Sequence, residues 1–225
     1  MRPLVILRPE PGASATADAA RRLGLEPLLI PLFRIEPIAW TPPDPSNFDG
    51  LLLTSANAVR AGGPELRKYL DLPVHAVGEA TAAAARETGF KVETVGSAGV
   101  DTLLGSLPQN LKLLHLCGAH RREPKNAAQT IVAVPIYRSA SLPLPANLRA
   151  VEGAVVAVHS PRAGARLAEL ARESDLAWES TAVAAISPEA ANAVGVDWQH
   201  AEAAEEPNEQ ALLALAARLC QNPTQ

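Results

Sequence analysis

The residues of this chain that could do chemistry recur in short segments, each following an apolar run and preceding a helix-forming run. They are Leu7-Arg8-Pro9, Thr54-Ser55-Ala56-Asn57, Gly78-Glu79-Ala80-Thr81, Leu116-Cys117-Gly118-Ala119-His120-Arg121-Arg122, His159-Ser160-Pro161 and Ser187-Pro188-Glu189. Ser55 and Ser160 are good N-cap types, and Pro161 and Pro188 suit the first turn of a helix. A helix start presents free N–H groups and a partial positive charge, so it can hold a carboxylate or phosphate. Capping alone explains each segment singly. The recurrence of one pattern at several strand ends points further, to a polyanion site built with few formal charges.

Other chemistries find no motif. The sequence has no Walker loop, no GxGxxG and no GxSxG. No acidic cluster of the kind that holds Mg²⁺ in a phospho-receiver stands at the strand ends. His115, Cys117 and His120 are close in sequence, but no second ligand cluster accompanies them, and no metal site is expected. His159 and Ser160 are adjacent at a strand end, where neighbouring side chains point to opposite faces, which argues against a serine–histidine relay. Trp40, Trp178 and Trp198 read as packing residues.

The elements that must position these segments alternate. Strands are expected at Leu4–Leu7, Glu26–Ile30, Gly50–Thr54, Val74–Val77, Lys91–Val95, Lys112–Leu116, Ile131–Val134, Ala154–Val158, Thr181–Ile186 and Trp198–Ala203. Helices are expected at Ala13–Leu23, Ala56–Leu70, Ala80–Thr88, Val100–Leu107, Pro161–Arg172, Pro188–Val194 and Asn208–Cys220. This alternation indicates an α/β fold of parallel sheets with helices on both faces. Ligands of such sheets bind beyond the carboxyl ends of the strands, where the segments above lie.

The chain also repeats itself. Ile30-Pro31-Leu32-Phe33-Arg34 returns as Val134-Pro135-Ile136-Tyr137-Arg138. Leu53-Thr54-Ser55 returns as Val158-His159-Ser160, and Ala76-Val77-Gly78 as Ala185-Ile186-Ser187. Ordered matches at nearly constant spacing imply duplication of one five-strand unit. Prolines cluster after both copies of the Pro-x-aromatic-Arg segment and favour extended linker over sheet interior. Two linkers permit two layouts: sequential domains, or a chain that leaves a first domain near residue 35 and returns near 138.

At 225 residues and 48% hydrophobic content, the chain suits one large or two small globular units. The net charge of −4 gives no basic footprint for nucleic acid. The two cysteines are far apart, which fits a reducing cytoplasm. The first apolar run ends after Leu7, too short for a signal peptide, and no stretch is long enough for a membrane span. A cytoplasmic protein is expected.

These motifs, in order, resemble the uroporphyrinogen-III synthase family across nearly the whole chain. They run from Arg8-Pro9 through Gly24-x-Glu-x-x-x-x-Pro31, Thr54-Ser55-Ala56-Asn57-Ala58-Val59, Val77-Gly78-x-x-Thr81-Ala82, Gly89, Cys117-Gly118 with Arg121-Arg122-Glu123, and Val134-Pro135-Ile136-Tyr137 to His159-Ser160-Pro161. The resemblance implies two flavodoxin-like parallel-sheet domains joined by a two-stranded linker, with the active site in the interdomain cleft. Residues 1–34 and 139–225 would form one domain and 38–134 the other, with 35–37 and 135–138 as linkers. The implied reaction closes the linear tetrapyrrole hydroxymethylbilane, inverting ring D through a spiro intermediate and losing water, without metal or organic cofactor. A monomer is implied. Tyr137 matches the tyrosine proposed to assist hydroxyl departure. The strand-end segments would bind the substrate: Arg8, Ser55, Ala56, Asn57, Gly78, Glu79, Ala80, Thr81, Cys117, Gly118, Arg121, Arg122, His159, Ser160, Pro161, Ser187 and Pro188.

The chain departs from the family pattern at Ser187-Pro188-Glu189-Ala190, where Gly-Pro-Thr-Thr is frequent, and at Leu7, where threonine is common. The helix after Arg122 is expected to be shortened, with Pro124 inside it. The first departure supports an alternative, a non-catalytic paralogue binding a tetrapyrrole or another polyanion. A third reading is a small-ligand binding protein that shares only the α/β architecture.

Overall fold

Sheets buried on both faces require apolar residues at consecutive strand positions, and this chain supplies them. The computed structural model describes residues 1–97, 99–121, 123–174, 176–195 and 198–221. They divide into two units, unit 1 being Met1–Arg34 with Ser141–Gln225 and unit 2 being Ile35–Ala140. No helix among the described residues is long and apolar enough to cross a membrane.

Unit 1 contains β1 (Leu4–Ile6), α1 (Gly12–Arg22), β2 (Pro27–Leu29), β9 (Val155–Val158), α5 (Pro161–Glu173), β10 (Ala182–Ala185), α6 (Pro188–Ala193), β11 (His200–Ala203) and α7 (Glu209–Gln221). Its sheet has the order β11-β10-β9-β1-β2, and its pairings are parallel. Val5, Val156 and Val183 pack on one face with residues of α5 and α6. Leu4, Ile6, Val155 and Ala184 pack on the other with residues of α1 and α7. At the amino ends of the strands, the Arg2 guanidinium donates to Gly153 O (2.6 Å), Ala154 O (2.8 Å) and Gln199 Oε1 (2.6 Å).

Unit 2 contains β4 (Gly50–Leu53), α2 (Ala56–Ala61), β5 (Val74–Val77), α3 (Glu79–Glu87), β6 (Val92–Gly96), α4 (Val100–Gly105), β7 (Lys112–Gly118) and β8 (Thr130–Ser141). With β3 (Phe33–Pro37), the sheet order is β3-β8-β7-β4-β5-β6. The chain passes between units within β3 and at the end of β8. Ile38 N donates to Ile136 O (2.9 Å) and Leu142 N to Leu32 O (2.9 Å), so β3 and β8 run antiparallel.

The five parallel strands of each sheet share one layout. Both Ser-terminated repeats end central strands, β4 and β9, and the next repeats end their neighbours, β5 and β10. Numbered along the chain, unit 1 has the flavodoxin-like order 2-1-3-4-5. Unit 2 has the same spatial order, entered at the third position. The point where the strand order reverses lies between β1 and β9 in unit 1, and between β7 and β4 in unit 2.

Three local differences from the expected elements have physical causes. The helix expected over Ala56–Leu70 stops at Ala61 and resumes as a 3₁₀ segment over Gly63–Tyr69, because Gly63 takes φ +67° and Pro64 follows. The residue pattern alone placed no strand at β3, which falls on a linker segment of the two-stranded linker that the family resemblance implied, and β8 runs on through Pro135 to Ser141 instead of ending at Val134. Finally, the connection from β7 to β8 holds no helix among its described residues, whereas α1 fills the corresponding connection in unit 1. Gln129 covers part of that face instead, its amide donating to Leu104 O (2.9 Å), Leu107 O (3.2 Å) and Pro108 O (3.0 Å). A cavity of about 230 Å³ remains there, lined by His115, Arg121, Glu123 and Gln129 among others.

Candidate active site

In each unit the strand-end segments stand at the carboxyl edge of the sheet, and most of their polar groups already have local work. The Ser55 hydroxyl caps α2 by accepting from Asn57 N (3.2 Å). Ser160 caps α5, accepting from Ala163 N (3.1 Å), and Ser187 caps α6, accepting from Ala190 N (3.3 Å). Pro161 and Pro188 open their helices, where a missing N–H costs nothing. Gly78 differs: it precedes α3 with φ +82° and provides no side-chain cap. That backbone favours glycine; the Gly78 carbonyl accepts from Thr81 N and Ala82 N (both 3.1 Å), but no side chain at residue 78 caps the first turn of α3. Thr81 is buried in the first turn, whereas Glu79 and Ala80 are exposed and Glu79 pairs with Arg86 (2.5 Å).

In unit 1, Arg8 leaves β1 beside His159 at the end of β9. Its Nη1 donates to Glu209 Oε2 (3.0 Å) and to Thr16 Oγ1 (3.2 Å), and Thr16 Oγ1 donates to Glu209 Oε1. His159 Nε2 lies 3.4 Å from Glu209 Oε2, an ion-pair separation but a long one for a hydrogen bond. The His159 ring nitrogens are buried and have no hydrogen-bond partner. Burial would raise the Glu209 carboxyl pKa, but His159, Thr16 and Arg8 together outweigh it and bring it down to about 2. An added Cβ on Gly12 would stand 2.6 Å from Arg8 Nε, so the glycine leaves room for the guanidinium over the start of α1. Arg8 is therefore occupied by an internal carboxylate.

In unit 2 the corresponding strand ends carry Cys117-Gly118 and Thr54-Ser55. Thr54 Oγ1 hydrogen-bonds His115 Nε2 (3.0 Å). Burial, with Arg121 nearby, brings the His115 pKa down to about 4, so the imidazole is neutral at pH 7. Burial also pushes the Cys117 thiol up, against a smaller opposing effect of Arg121. Arg121 pairs with Glu123 (2.9 Å) and lines the cavity beside His115. Arg122 lies outside the described residues.

Tyr137 is the point where several of these residues meet. Burial raises its phenol pKa, and a side-chain hydrogen bond with Ser55 opposes the rise less strongly. The phenol thus stays protonated at neutral pH and keeps its donor character. Its ring lies against Gly118, and its carbonyl accepts from Ala119 N (2.8 Å). The structure thereby joins Ser55, Gly118 and Tyr137 in unit 2, and Arg8 and His159 in unit 1. Gly78–Thr81 stand one strand over from Ser55, and Ser187-Pro188 one strand over from Ser160.

Sequence reasoning missed Glu209 and Thr16. Glu209 lies 201 residues from Arg8 and reaches it because α7 packs over β9, next to β1. The only local signal is an acidic residue in a first helical turn after the Asn208 cap, which accepts from Ala211 N (2.8 Å). Among the described residues, no three His, Cys, Asp or Glu side chains converge as metal ligands.

A family model described as uroporphyrinogen-III synthase HemD matches residues 14–214. Among solved structures, the chain is similar to the uroporphyrinogen-III synthetase of Helicobacter pylori. That match has 18% identity and a TM-score of 0.62, covering 97% of this chain and 100% of that one. A mutant uroporphyrinogen III synthase from Thermus thermophilus matches at 20% identity and a TM-score of 0.49, over 98% of this chain and 99% of that one. At such identities the Helicobacter likeness speaks for the fold. No curated protein matches the chain.

Proposed function

The chain belongs to the uroporphyrinogen-III synthase family, and we propose how its own residues perform that family's reaction. The protein cyclises hydroxymethylbilane to uroporphyrinogen III, inverting the last pyrrole and releasing water, in haem biosynthesis. The observation that carries this is the family match from residue 14 to residue 214, nearly the full chain.

The chemical problem is one of positioning. The bilane closes spontaneously to the uninverted isomer, so a folded, flexible polycarboxylate must be held in one geometry. Helix starts suit that task, since N–H groups bind carboxylates without long, mobile cationic side chains. The start of α3 at Gly78, which has no side-chain cap, supports a substrate-carboxylate role in unit 2. Ser55, Ala56, Asn57, Cys117, Gly118, Arg121 and Arg122 are proposed to complete that subsite. In unit 1, Ser160-Pro161 and Ser187-Pro188 are proposed to offer helix starts. Arg8 and His159 join them when a substrate carboxylate competes with Glu209.

Tyr137 is the proposed proton donor. The C–O bond of the terminal hydroxymethyl group breaks, its electron pair leaves with the oxygen, and the phenol proton completes a water molecule. The pyrrole nitrogen lone pair stabilises the resulting azafulvenium cation, and the proton released when pyrrole D closes the ring restores the phenol. Burial of the phenol supports this role, because a raised pKa keeps the proton in place until the oxygen departs.

The decisive assay supplies hydroxymethylbilane and measures the ratio of type III to type I uroporphyrinogen. Predominantly type III product is expected. Only type I, formed at the uncatalysed rate, would reject the enzyme reading and leave a polyanion-binding protein.

A further inference from the structure

In the β7–β8 ladder, Cys117 pairs with Pro135 but Gly118 pairs with Tyr137, skipping Ile136. One strand thus has an extra residue, a β-bulge, which turns successive side chains toward one face. Ile136 and Tyr137 indeed both pack against the cluster that contains Leu114 and Leu116. Regular alternation would have sent Tyr137 to the opposite face. Pro135 has no N–H to give the ladder, and a bulge is where a strand tolerates that loss.

The bulge brings the phenol over Gly118, the residue of β7 that has no side chain. A Cβ built on Gly118 would stand 2.9 Å from Cε2 and Cζ of Tyr137 and 3.1 Å from its hydroxyl oxygen. The Tyr137 backbone is held by Ala119 N, so a methyl group at residue 118 would be relieved by rotating the ring. That motion carries the phenol away from Ser55.

We propose that Gly118, placed opposite Tyr137 by the β8 bulge, is a positioning residue that aims the Tyr137 phenol at the departing hydroxyl. This rests on the reading of Tyr137 as proton donor. The substitution Gly118→Ala should lower kcat for type III formation about a hundredfold, the cost of misplacing a reacting group by roughly 1 Å.

The experiment compares Gly118→Ala, Tyr137→Phe and the double variant, with NMR of Cζ-labelled tyrosine on each folded protein. The chain has two tyrosines, so Tyr69 serves as an internal control. Expected results are a moved Tyr137 signal and a fixed Tyr69 signal in Gly118→Ala, and a double variant no slower than Tyr137→Phe. A wild-type kcat in Gly118→Ala would overturn the proposal. So would an equal loss from Gly118→Ala when Tyr137 is already Phe, since Gly118 would then act otherwise than through the phenol. A wild-type kcat in Tyr137→Phe alone is the separate failure, that of the donor reading itself.

Discussion

Replacing Glu209 by glutamine removes one charge from unit 1. The amide keeps one acceptor oxygen, so it retains the bond from either Arg8 or Thr16 but not both, and the substitution removes the charge with one hydrogen bond. Glu209 faces Arg8 at 3.0 Å and His159 at 3.4 Å, with side-chain exposures of 36% and 35% for the Glu209–Arg8 pair. A pair screened to that extent is worth far less than its full pKa displacement, so the loss near pH 7 should be about 1–2 kcal/mol. The pH dependence follows from direction. The folded carboxyl titrates near 2, below its ordinary 4.5. Its stabilisation is complete above the unfolded value and declines as pH falls toward the folded one, because the unfolded state binds the proton first. Urea unfolding of both proteins between pH 7 and about pH 3 reads this directly. Wild type should be more stable at pH 7, and the two curves should converge below about pH 4.5. Equal midpoints at pH 7, or a constant difference across the range, would show that the Glu209 charge does not hold Arg8 and His159.

Three further outcomes are expected. Gly164→Ala in α5 should destabilise unit 1 by about 1–3 kcal/mol despite better helix propensity, because its Cβ would stand 2.8 Å from Ala190 O of α6; thermal unfolding measures this. His115 should show no imidazole titration by NMR above about pH 5. Burial lowers its pKa to about 4, so it destabilises the fold as pH falls below the ordinary 6.5, and a midpoint near 6.5 would refute its burial. Ser160→Ala should cost about 1 kcal/mol as a lost cap, Ser160→Asp should restore the stability while raising KM for the polycarboxylate, and an unchanged KM would remove Ser160 from the binding site.

The strands and helices were legible because both sheets are covered on two sides. Leu4-Val5-Ile6 and Val155-Val156-Ala157-Val158 can be apolar without alternation only in that setting. The α/β class, the parallel pairing and the repeat followed from such runs. β3 and the far half of β8 were legible only through the resemblance, as the two-stranded linker, because Pro37 and Pro135 argue against a sheet in the local pattern. The strands tolerate Pro37 at the terminus of β3 and Pro135 beside the bulge of β8. At the site, the helix starts were legible from Ser-Pro and Gly-x-x-Thr chemistry, which is local. The contact of Tyr137 with Gly118 was not, because it depends on a register shift of one residue. The Arg8–Glu209 pair was not, because it depends on which helix covers which strand.

Those two features diverge between copies of one layout. At the strand-order reversal of unit 1, Arg8 and His159 sit with an internal carboxylate, and α1 fills the connection beyond β1. At the matching place in unit 2, glycine stands beside a buried phenol, and the described part of the connection has no helix. We propose that the two copies of this layout, one with an ion pair and the other with a glycine beside a buried phenol, carry different tasks at these positions. On that proposal, unit 1 holds charge in balance until an anion competes for it, and unit 2 holds a proton. If that division is right, loss of Glu209 should move KM and stability while leaving the type III to type I ratio high. Loss of the Tyr137 phenol should move kcat with stability intact. Type I product accumulating from Glu209→Gln at saturating bilane would place unit 1 in the inversion step itself and defeat the division.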